Sequence, residues 1–402
     1  MFIKLRFDII GFCGILYKKW KLLCVPFNKH YICHEKFLHT CSVACLVWLH
    51  VGKYGKKPNT DRRRKKRLGR FYDFGDGTIY KVEKTDIGKI FSRTSSDGGK
   101  TWTEPSALKY SNTGKFILNP NSRPQIFKLP NGSAILLFYN NTSDSYEGGH
   151  VVWASVGRPS GKDFKWSQPE VLHVAKKAER KYSLPMFFQK NGSYWLYTRV
   201  GKRGALRKID TVKAEFIDRE PENTLTTHGL ILNLKNLDNG GRTVRMPRIP
   251  DIKKSGLTVE FIANFESAAA GVAIFDNTDT QGKGLKIETA PGRAFSIILN
   301  DGVSQVKWTT DSGAFTPGKE AHIAIVIDGK SKLAMSVYDG QVCDGDFARP
   351  FGWETFYPEI SSINALGSAV VAKGFDVNMK RFRIYSRPLT AFEILSNINS
   401  GK

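Results

Sequence analysis

Short apolar or alternating runs of five to seven residues recur along the chain from Phe71 onward, and Gly, Asn, Asp and Pro separate them. Alternation of apolar and polar residues is typical of a β-strand that buries one face, and β-branched and aromatic residues favour strands. Before residue 391 we find no helical periodicity, so only Ala391–Ile398 is predicted as a helix. The pattern predicts an all-β protein.

The runs form two groups. Residues 71–217 carry aromatic-rich strands and hairpins with an irregular repeat, and residues 229–398 carry strands whose spacing suits a two-sheet sandwich. The polar, Pro-containing residues 218–228 are predicted to be a linker between them. The predicted strands of the second group are Leu257–Ala263, Val272–Phe275, Ala294–Leu299, Val303–Thr309, His322–Ile327, Ala334–Tyr338 and Phe382–Tyr385.

Residues 1–70 differ in composition from the rest of the chain. The 402 residues carry a net charge of +24, and this segment holds 17 Lys and Arg against three Asp and Glu, including the run Arg62–Arg67. Five of the six cysteines also lie here, at spacings that fit no standard zinc site. A solvated linker is the preferred interpretation of the basic run, and nucleic acid is the least favoured partner. We predict a separate basic segment, either an anchor or non-native sequence, without the about 18–20 apolar residues of a membrane span.

The segment Ser95–Trp102 has the pattern Ser-x-Asp-x-Gly-x-Thr-Trp. Its residues predict a hairpin turn in which the Asp97 carboxylate accepts backbone N–H groups, Gly98 and Gly99 take positive φ, and Trp102 packs beneath. The octet resembles the Asp-box repeat of sialidases and other β-propellers. In those propellers the box lies away from the catalytic face, so the resemblance implies a structural role for Asp97.

Two further stretches extend this resemblance. Asn119–Pro124 before Ile126–Gly132, and Lys181–Pro185 before Asn191–Trp195, resemble blades of sialidase-like proteins with BNR repeats. The match covers residues 71–217, which is room for roughly three blades of about 40–50 residues, whereas a sialidase propeller has six. The resemblance therefore implies a partial sialidase-type β-propeller.

The second group of strands resembles a different domain. Val244–Pro250, His322–Gly329 and Arg383–Ile394 look like a laminin-G-like, concanavalin A-like jelly roll. The most diagnostic feature is a strand, an Arg-Pro-Leu turn and a short helix with Thr390 as N-cap and Glu393 at the third helical position. Such domains are commonly joined to sialidase-like propellers. The expected fold is a partial propeller followed by a β-sandwich jelly roll.

The resemblance implies a set of catalytic residues. Sialidases bind the substrate carboxylate with arginines and use a tyrosine nucleophile, which needs a glutamate base because a neutral phenol with a pKa of about 10 is a poor nucleophile at pH 7. Arg123 is the expected carboxylate clamp, Arg180 a second clamp, Glu147 the base and Tyr182 the nucleophile. The alternative interpretation is a surface Arg, a loop Glu and a packed Tyr.

The expected function is that of an exo-α-sialidase, which removes a terminal sialic acid or a similar acidic sugar from a glycan or glycoconjugate. The sequence upstream of residue 71 lacks the first arginine motif and the acid aspartate of the family, so a non-catalytic carbohydrate-binding protein, or a fragment of such an enzyme, is the alternative. We expect a secreted or cell-surface location. No cofactor is predicted. Asp276–Asp279 with Gly282 is interpreted as a polar turn, and calcium binding in the jelly roll is the alternative.

Overall fold

The computed structural model describes two separate units. Described residues are 69–119, 123–140, 151–174, 185–200, 203–237, 242–345, 360–372 and 377–400, with three isolated short strands. Residues 1–68 with 202–204 form one unit, and residues 69–201 with 205–402 form the other. The first unit contributes the hairpin of β1 (Val25–Phe27) and β2 (His30–Ile32), and the run Arg62–Arg67 lies outside the described residues. Apart from residues 202–204, the second unit carries everything that follows.

Three antiparallel sheets follow one another through residues 71–208. Their strands are β3 (Phe71–Asp73), β4 (Ile79–Lys84), β5 (Ile90–Ser95), β6 (Ser106–Ala107), β7 (Gln125–Lys128), β8 (Ala134–Phe138), β9 (Val151–Ser160), β10 (Asp163–Trp166), β11 (Glu170–Val174), β12 (Met186–Lys190), β13 (Ser193–Val200) and β14 (Arg203–Lys208). The orders are β3-β4-β5-β6, then β10-β9-β8-β7 with β11 paired to β9, then β12-β13-β14. The prediction of an all-β protein is confirmed, and the assignment of these sheets to a propeller stays a prediction.

Two larger sheets form the C-terminal sandwich. Their strands are β15 (Leu230–Leu237), β16 (Arg242–Arg245), β17 (Gly256–Phe265), β18 (Ala273–Asp276), β19 (Gly284–Ala290), β20 (Ala294–Asn300), β21 (Gln305–Thr309), β22 (Glu320–Asp328), β23 (Leu333–Tyr338), β24 (Gln341–Val342), β25 (Glu354–Thr355), β26 (Ser368–Val371) and β27 (Val377–Tyr385). One sheet has the order β15-β27-β17-β22-β23-β24, with β25 on β23, and the other β16-β26-β18-β19-β20-β21. Each of the seven predicted strands overlaps an observed one.

The sandwich core lies between these two sheets. Alternate residues of β17 point into it, and Phe261 packs edge to face against Phe295 at a centroid distance of 5.6 Å. Phe275 of the six-stranded sheet stacks on Phe382 of the seven-stranded sheet, with ring centroids 5.4 Å apart. Such aromatic pairs contribute about 0.5–1.5 kcal/mol beyond the burial of their area. The alternation visible in the sequence is therefore the alternation between core and outer face.

The outer face of the seven-stranded sheet packs against the β3–β6 sheet and the β7–β11 sheet. Val326 of β22 and Met335 and Val337 of β23 point away from the sandwich core into a second hydrophobic cluster, where they join Tyr110 and Trp166. Both parts of the chain thus contribute to this second cluster. The predicted boundary at residues 218–228 stays a prediction. Within the described residues, the outer face of the six-stranded sheet carries the exposed Lys307.

The described residues contain two helices, α1 (Thr211–Asp218) and α2 (Ala391–Ser400). The predicted capping box of α2 is confirmed, because the Glu393 N–H donates to the Thr390 hydroxyl at 3.2 Å and the Thr390 N–H to the Glu393 carboxylate at 2.9 Å. The prediction that no helix precedes residue 391 is wrong. Helix α1 buries Phe216 and Ile217, adjacent residues that produce no helical period. No described helix is long and apolar enough to cross a membrane.

Candidate functional site

Strand pairing brings several chain segments to one end of the second sheet. Gln125, the first residue of β7, pairs with Leu137 near the end of β8. Strand β9 begins beside the end of β8, and β11 ends beside the start of β9, where Val174 lies opposite Val151. Arg123 is exposed two residues before β7. We call this the Arg123 end of the sheet.

The other predicted catalytic residues belong to segments that follow strands ending at the Arg123 end. Along the chain, Glu147 lies between β8 and β9, and Arg180 and Tyr182 follow β11. These three residues lie outside the described part of the chain, so of the four only Arg123 is described. The roles of clamp, base and nucleophile stay predictions.

Buried hydrogen bonds connect the Arg123 end to the β4–β5 turn. The fully buried Asn119 accepts the Tyr139 N–H at 3.1 Å and donates its own N–H to the Gly88 carbonyl at 2.7 Å. It thereby ties the β4–β5 turn to the chain that leaves β8. Burial raises the pKa of the Tyr139 phenol well above its usual value, so this phenol stays neutral. Asn119 belongs to the stretch that resembles a blade, but neither it nor Tyr139 was predicted to support the site.

The Asp97 turn lies at the opposite end of the strands. The Asp97 carboxylate accepts the Lys100 and Thr101 N–H groups at 2.9 Å each and the Thr101 hydroxyl at 2.7 Å. These hydrogen bonds hold the pKa of Asp97 well below its usual range. Lys162, in the β9–β10 turn, donates to the Ser96 hydroxyl at 3.4 Å, which places both turns away from the Arg123 end. The predicted turn geometry is confirmed, and membership in the Asp-box repeats stays a prediction.

Removing the Asp97 carboxylate should loosen this turn locally. In Asp97→Ala the amides of Lys100 and Thr101 lose their acceptor, so we expect their hydrogen exchange to accelerate about tenfold. Asp86→Ala is the control, since Asp86 is exposed in the turn at the other end of the same hairpin. Equal protection of both amides in the two variants, measured by hydrogen–deuterium exchange, would contradict this structural role.

The open face of the six-stranded sheet is a second candidate surface. On β19, Leu285 and Ile287 point into the core while Lys286 points outward. Lys286 pairs with Ile298 of β20, and Ile298 pairs with Lys307 of β21, so the two lysines lie on the same outer face. Arg245, on the edge strand β16, is exposed. A hydrogen bond to the Glu288 carboxylate raises the pKa of Lys286. The surface therefore offers cations and hydrogen-bonding groups to a polar ligand.

The Asp276–Asp279 loop uses its oxygens within the chain. Asp276 accepts the Thr278 N–H at 2.9 Å and the Thr278 hydroxyl at 2.6 Å. Asp279 accepts the N–H groups of Gln281 and Lys283 at 3.0 Å each. This is the geometry of the polar-turn interpretation. Among the described residues, no group of three His, Cys, Asp or Glu is arranged to hold a metal ion.

A cluster of catalytic residue types lies between the seven-stranded sheet and α2. Glu260 accepts from Arg383 at 3.1 Å and from the Asn397 amide at 3.1 Å, and its other oxygen lies 2.8 Å from His322 Nε2. The Tyr385 hydroxyl lies 3.3 Å from the same carboxylate. All five side chains are at most 5% exposed. No substrate can reach them, so this cluster is structural.

Comparisons with known proteins agree with the sandwich. Residues 238–395 match the family model described as the concanavalin A-like lectin/glucanases superfamily, so this part of the chain is a concanavalin A-like domain. No curated protein sequence matches the chain.

Two solved structures illustrate what the chain is similar to. A Trypanosoma rangeli sialidase in complex with 2,3-difluorosialic acid is 12% identical with a TM-score of 0.31, over 82% of this chain and 61% of that one. The CBM40 of a Ruminococcus gnavus IT-sialidase, bound to α2,3-sialyllactose, is 11% identical with a TM-score of 0.32, over 42% of this chain and 98% of that one. The chain therefore spans less than two thirds of the sialidase's length.

Proposed function

We propose that the protein is a glycoside hydrolase of the exo-α-sialidase type, which acts on terminal acidic sugars outside the cell or at its surface. The observation that carries the proposal is that four strands begin or end at the Arg123 end: β7 after Arg123, β8 and β9 on either side of Glu147, and β11 before Arg180 and Tyr182. A guanidinium pairs with a sugar carboxylate in bidentate fashion, which suits Arg123 and Arg180 as clamps.

The remaining two residues supply the chemistry in this proposal. Glu147 takes the phenol proton while the Tyr182 oxygen bonds to the anomeric carbon and the bond to the leaving oxygen breaks. Solvent protonates the leaving group, and water then releases the sugar from the tyrosine. The Asp97 turn lies at the opposite end of the strands and takes no part.

Tyr182→Phe is expected to lower the hydrolysis of a fluorogenic sialoside at least about 100-fold, because the variant lacks the nucleophilic oxygen. Tyr80→Phe is the matched control, since Tyr80 is buried in β4 toward the Asp97 end and should retain full turnover. The measurement is the initial rate with purified full-length protein. Turnover that survives Tyr182→Phe would refute the assigned nucleophile.

The second candidate is a carbohydrate-binding protein without turnover. The open face of the six-stranded sheet in a concanavalin A-like domain favours it. Binding and hydrolysis of a sialoside, measured on the same folded and monodisperse wild-type protein, separate the two candidates. Binding without hydrolysis would support the carbohydrate-binding protein. Binding together with hydrolysis would support the hydrolase.

A further inference from the structure

Two lysines lie over one aromatic ring beside the first sheet. The Lys89 and Lys109 ammonium groups lie 3.8 Å and 5.0 Å from the centroid of the Phe116 ring. Lys109 and Phe116 also pair across a backbone bridge. We call Lys89, Lys109 and Phe116 the lysine cluster.

The lysine cluster has an excess of positive charge. Within the described residues, neither Lys89 nor Lys109 forms an ion pair with a carboxylate, although Asp86 lies in the same turn as Lys89. Two ammonium groups over one ring repel each other and retain N–H donors for an anion.

The lysine cluster lies beside the Arg123 end. Lys89 forms a backbone bridge with Leu118, and the preceding Gly88 accepts the Asn119 N–H. Asn119 in turn holds the Tyr139 N–H, where the chain leaves β8. A glycan chain whose terminal sugar reaches the Arg123 end can therefore extend over these lysines. Phe116 is partly exposed and adds ring surface of the kind that packs against sugars.

We propose that the lysine cluster binds an anionic glycan chain through its carboxylate or sulfate groups. The choice of a glycan as ligand rests on the proposed function, but the binding does not require hydrolysis. Long-range attraction between ammonium groups and an anionic chain is screened by salt, so the affinity should fall steeply with ionic strength. A neutral glycan of the same length should gain nothing from these residues.

The test compares two variants that lose the same charge. Lys89→Gln/Lys109→Gln removes two cations of the lysine cluster, and Lys319→Gln/Lys330→Gln removes two from exposed turns of the sandwich. Titrations use the full chain with fluorescent probes: a heparin octasaccharide, an α2,8-linked sialic acid oligomer, a dextran oligomer and single-stranded DNA. We expect the first variant to bind the anionic glycans about tenfold more weakly. The slope of its log affinity against log salt concentration should be smaller in magnitude by about 1–2. The affinity of the control pair should change less than about twofold.

Each outcome bears on the proposal. Selective loss with both anionic glycans supports carboxylate recognition, and selective loss with heparin alone assigns the site to sulfate. Equal loss in the two lysine pairs, or an equal selective loss with DNA, would overturn the proposal. Phe116→Leu keeps the charges and should weaken glycan binding about two- to threefold through loss of the ring. Sialoside turnover is recorded on the same samples, so failure of this binding and failure of hydrolysis are separate results.

Discussion

Glu170→Gln is expected to raise the free energy of unfolding at pH 8 by up to about 3 kcal/mol and to flatten its dependence on pH. Glu170 is completely buried on β11, and its carboxylate accepts the Ala391 N–H at the start of α2 at 2.7 Å. A carboxylate at a helix N-terminus gains about 0.3–1 kcal/mol from the helix dipole. The free-energy cost of burying the charge is larger, so the ionised Glu170 destabilises the folded protein overall.

The direction of the pH effect follows from the shifted pKa. Burial, assisted by the Glu393 charge, raises the pKa of Glu170 from its ordinary 4.5 to about 7, while Lys213 and the N–H groups of Ala391 and Val171 act against this. Between these two pH values the folded protein holds a proton that the unfolded chain has released. The contribution of Glu170 to stability is therefore largest below about pH 4.5 and is lost as the pH rises through about 7.

Urea unfolding of the wild type and Glu170→Gln at pH 5.5, 7.0 and 8.5 measures this difference. The stability gain of the variant should grow with pH over this range. Glu104→Gln is the control, because Glu104 is exposed and its removal should shift stability by less than about 0.5 kcal/mol at every pH. A stability difference between wild type and Glu170→Gln that does not change with pH would show that Glu170 does not titrate there.

Arg383→Met is expected to lower the free energy of unfolding by about 3–5 kcal/mol, since it leaves a buried charge without its partner. Burial opposes ionisation of Glu260 most strongly. Hydrogen bonds and charge from His322, together with those of Arg383, nevertheless hold the pKa of this carboxyl below its usual value. Without the guanidinium the carboxylate keeps only part of that compensation.

A double-mutant cycle separates this coupling from lost packing. In a Glu260→Gln background, where no buried carboxylate needs a cation, Arg383→Met should cost about 1–3 kcal/mol less than in the wild type. Arg381→Met, two residues away on the same strand and partly exposed, should cost less than about 1 kcal/mol. Additive losses for Glu260 and Arg383, measured by urea unfolding, would mean that the two side chains are not coupled.

The local features of the fold could be predicted from neighbouring residues. The strand runs, the Asp97 turn and the α2 capping box each depend on side chains a few positions apart, and their geometry matches what those side chains favour. Helix α1 escaped prediction although its N-cap was present, since Asp210 accepts the Lys213 N–H at 2.9 Å. Its eight residues bury too little surface to produce a period, and packing against the sheets stabilises it.

The candidate site was only partly visible in the sequence. Arg123 was identified through a resemblance. Strand pairing places the start of β7, which follows Arg123, at the same sheet end as the ends of β8 and β11, which precede the other three candidates along the chain. The lysine cluster had no local signal, because Lys89 and Phe116 lie far apart along the chain. Glu170 and Glu260 had the appearance of ordinary strand carboxylates.

The sequence by itself determined the all-β class, the positions of most strands, the Asp97 turn and the N-terminal cap of α2. These features arise from backbone preferences and hydrogen bonds within short segments. Only the tertiary structure decided which sheet face is exposed, which carboxylates are buried and which lysines lie over the same aromatic ring. Those outcomes depend on contacts between distant residues, such as Glu170 and Ala391 at a separation of 221 positions, and on the exclusion of water when two sheets pack together.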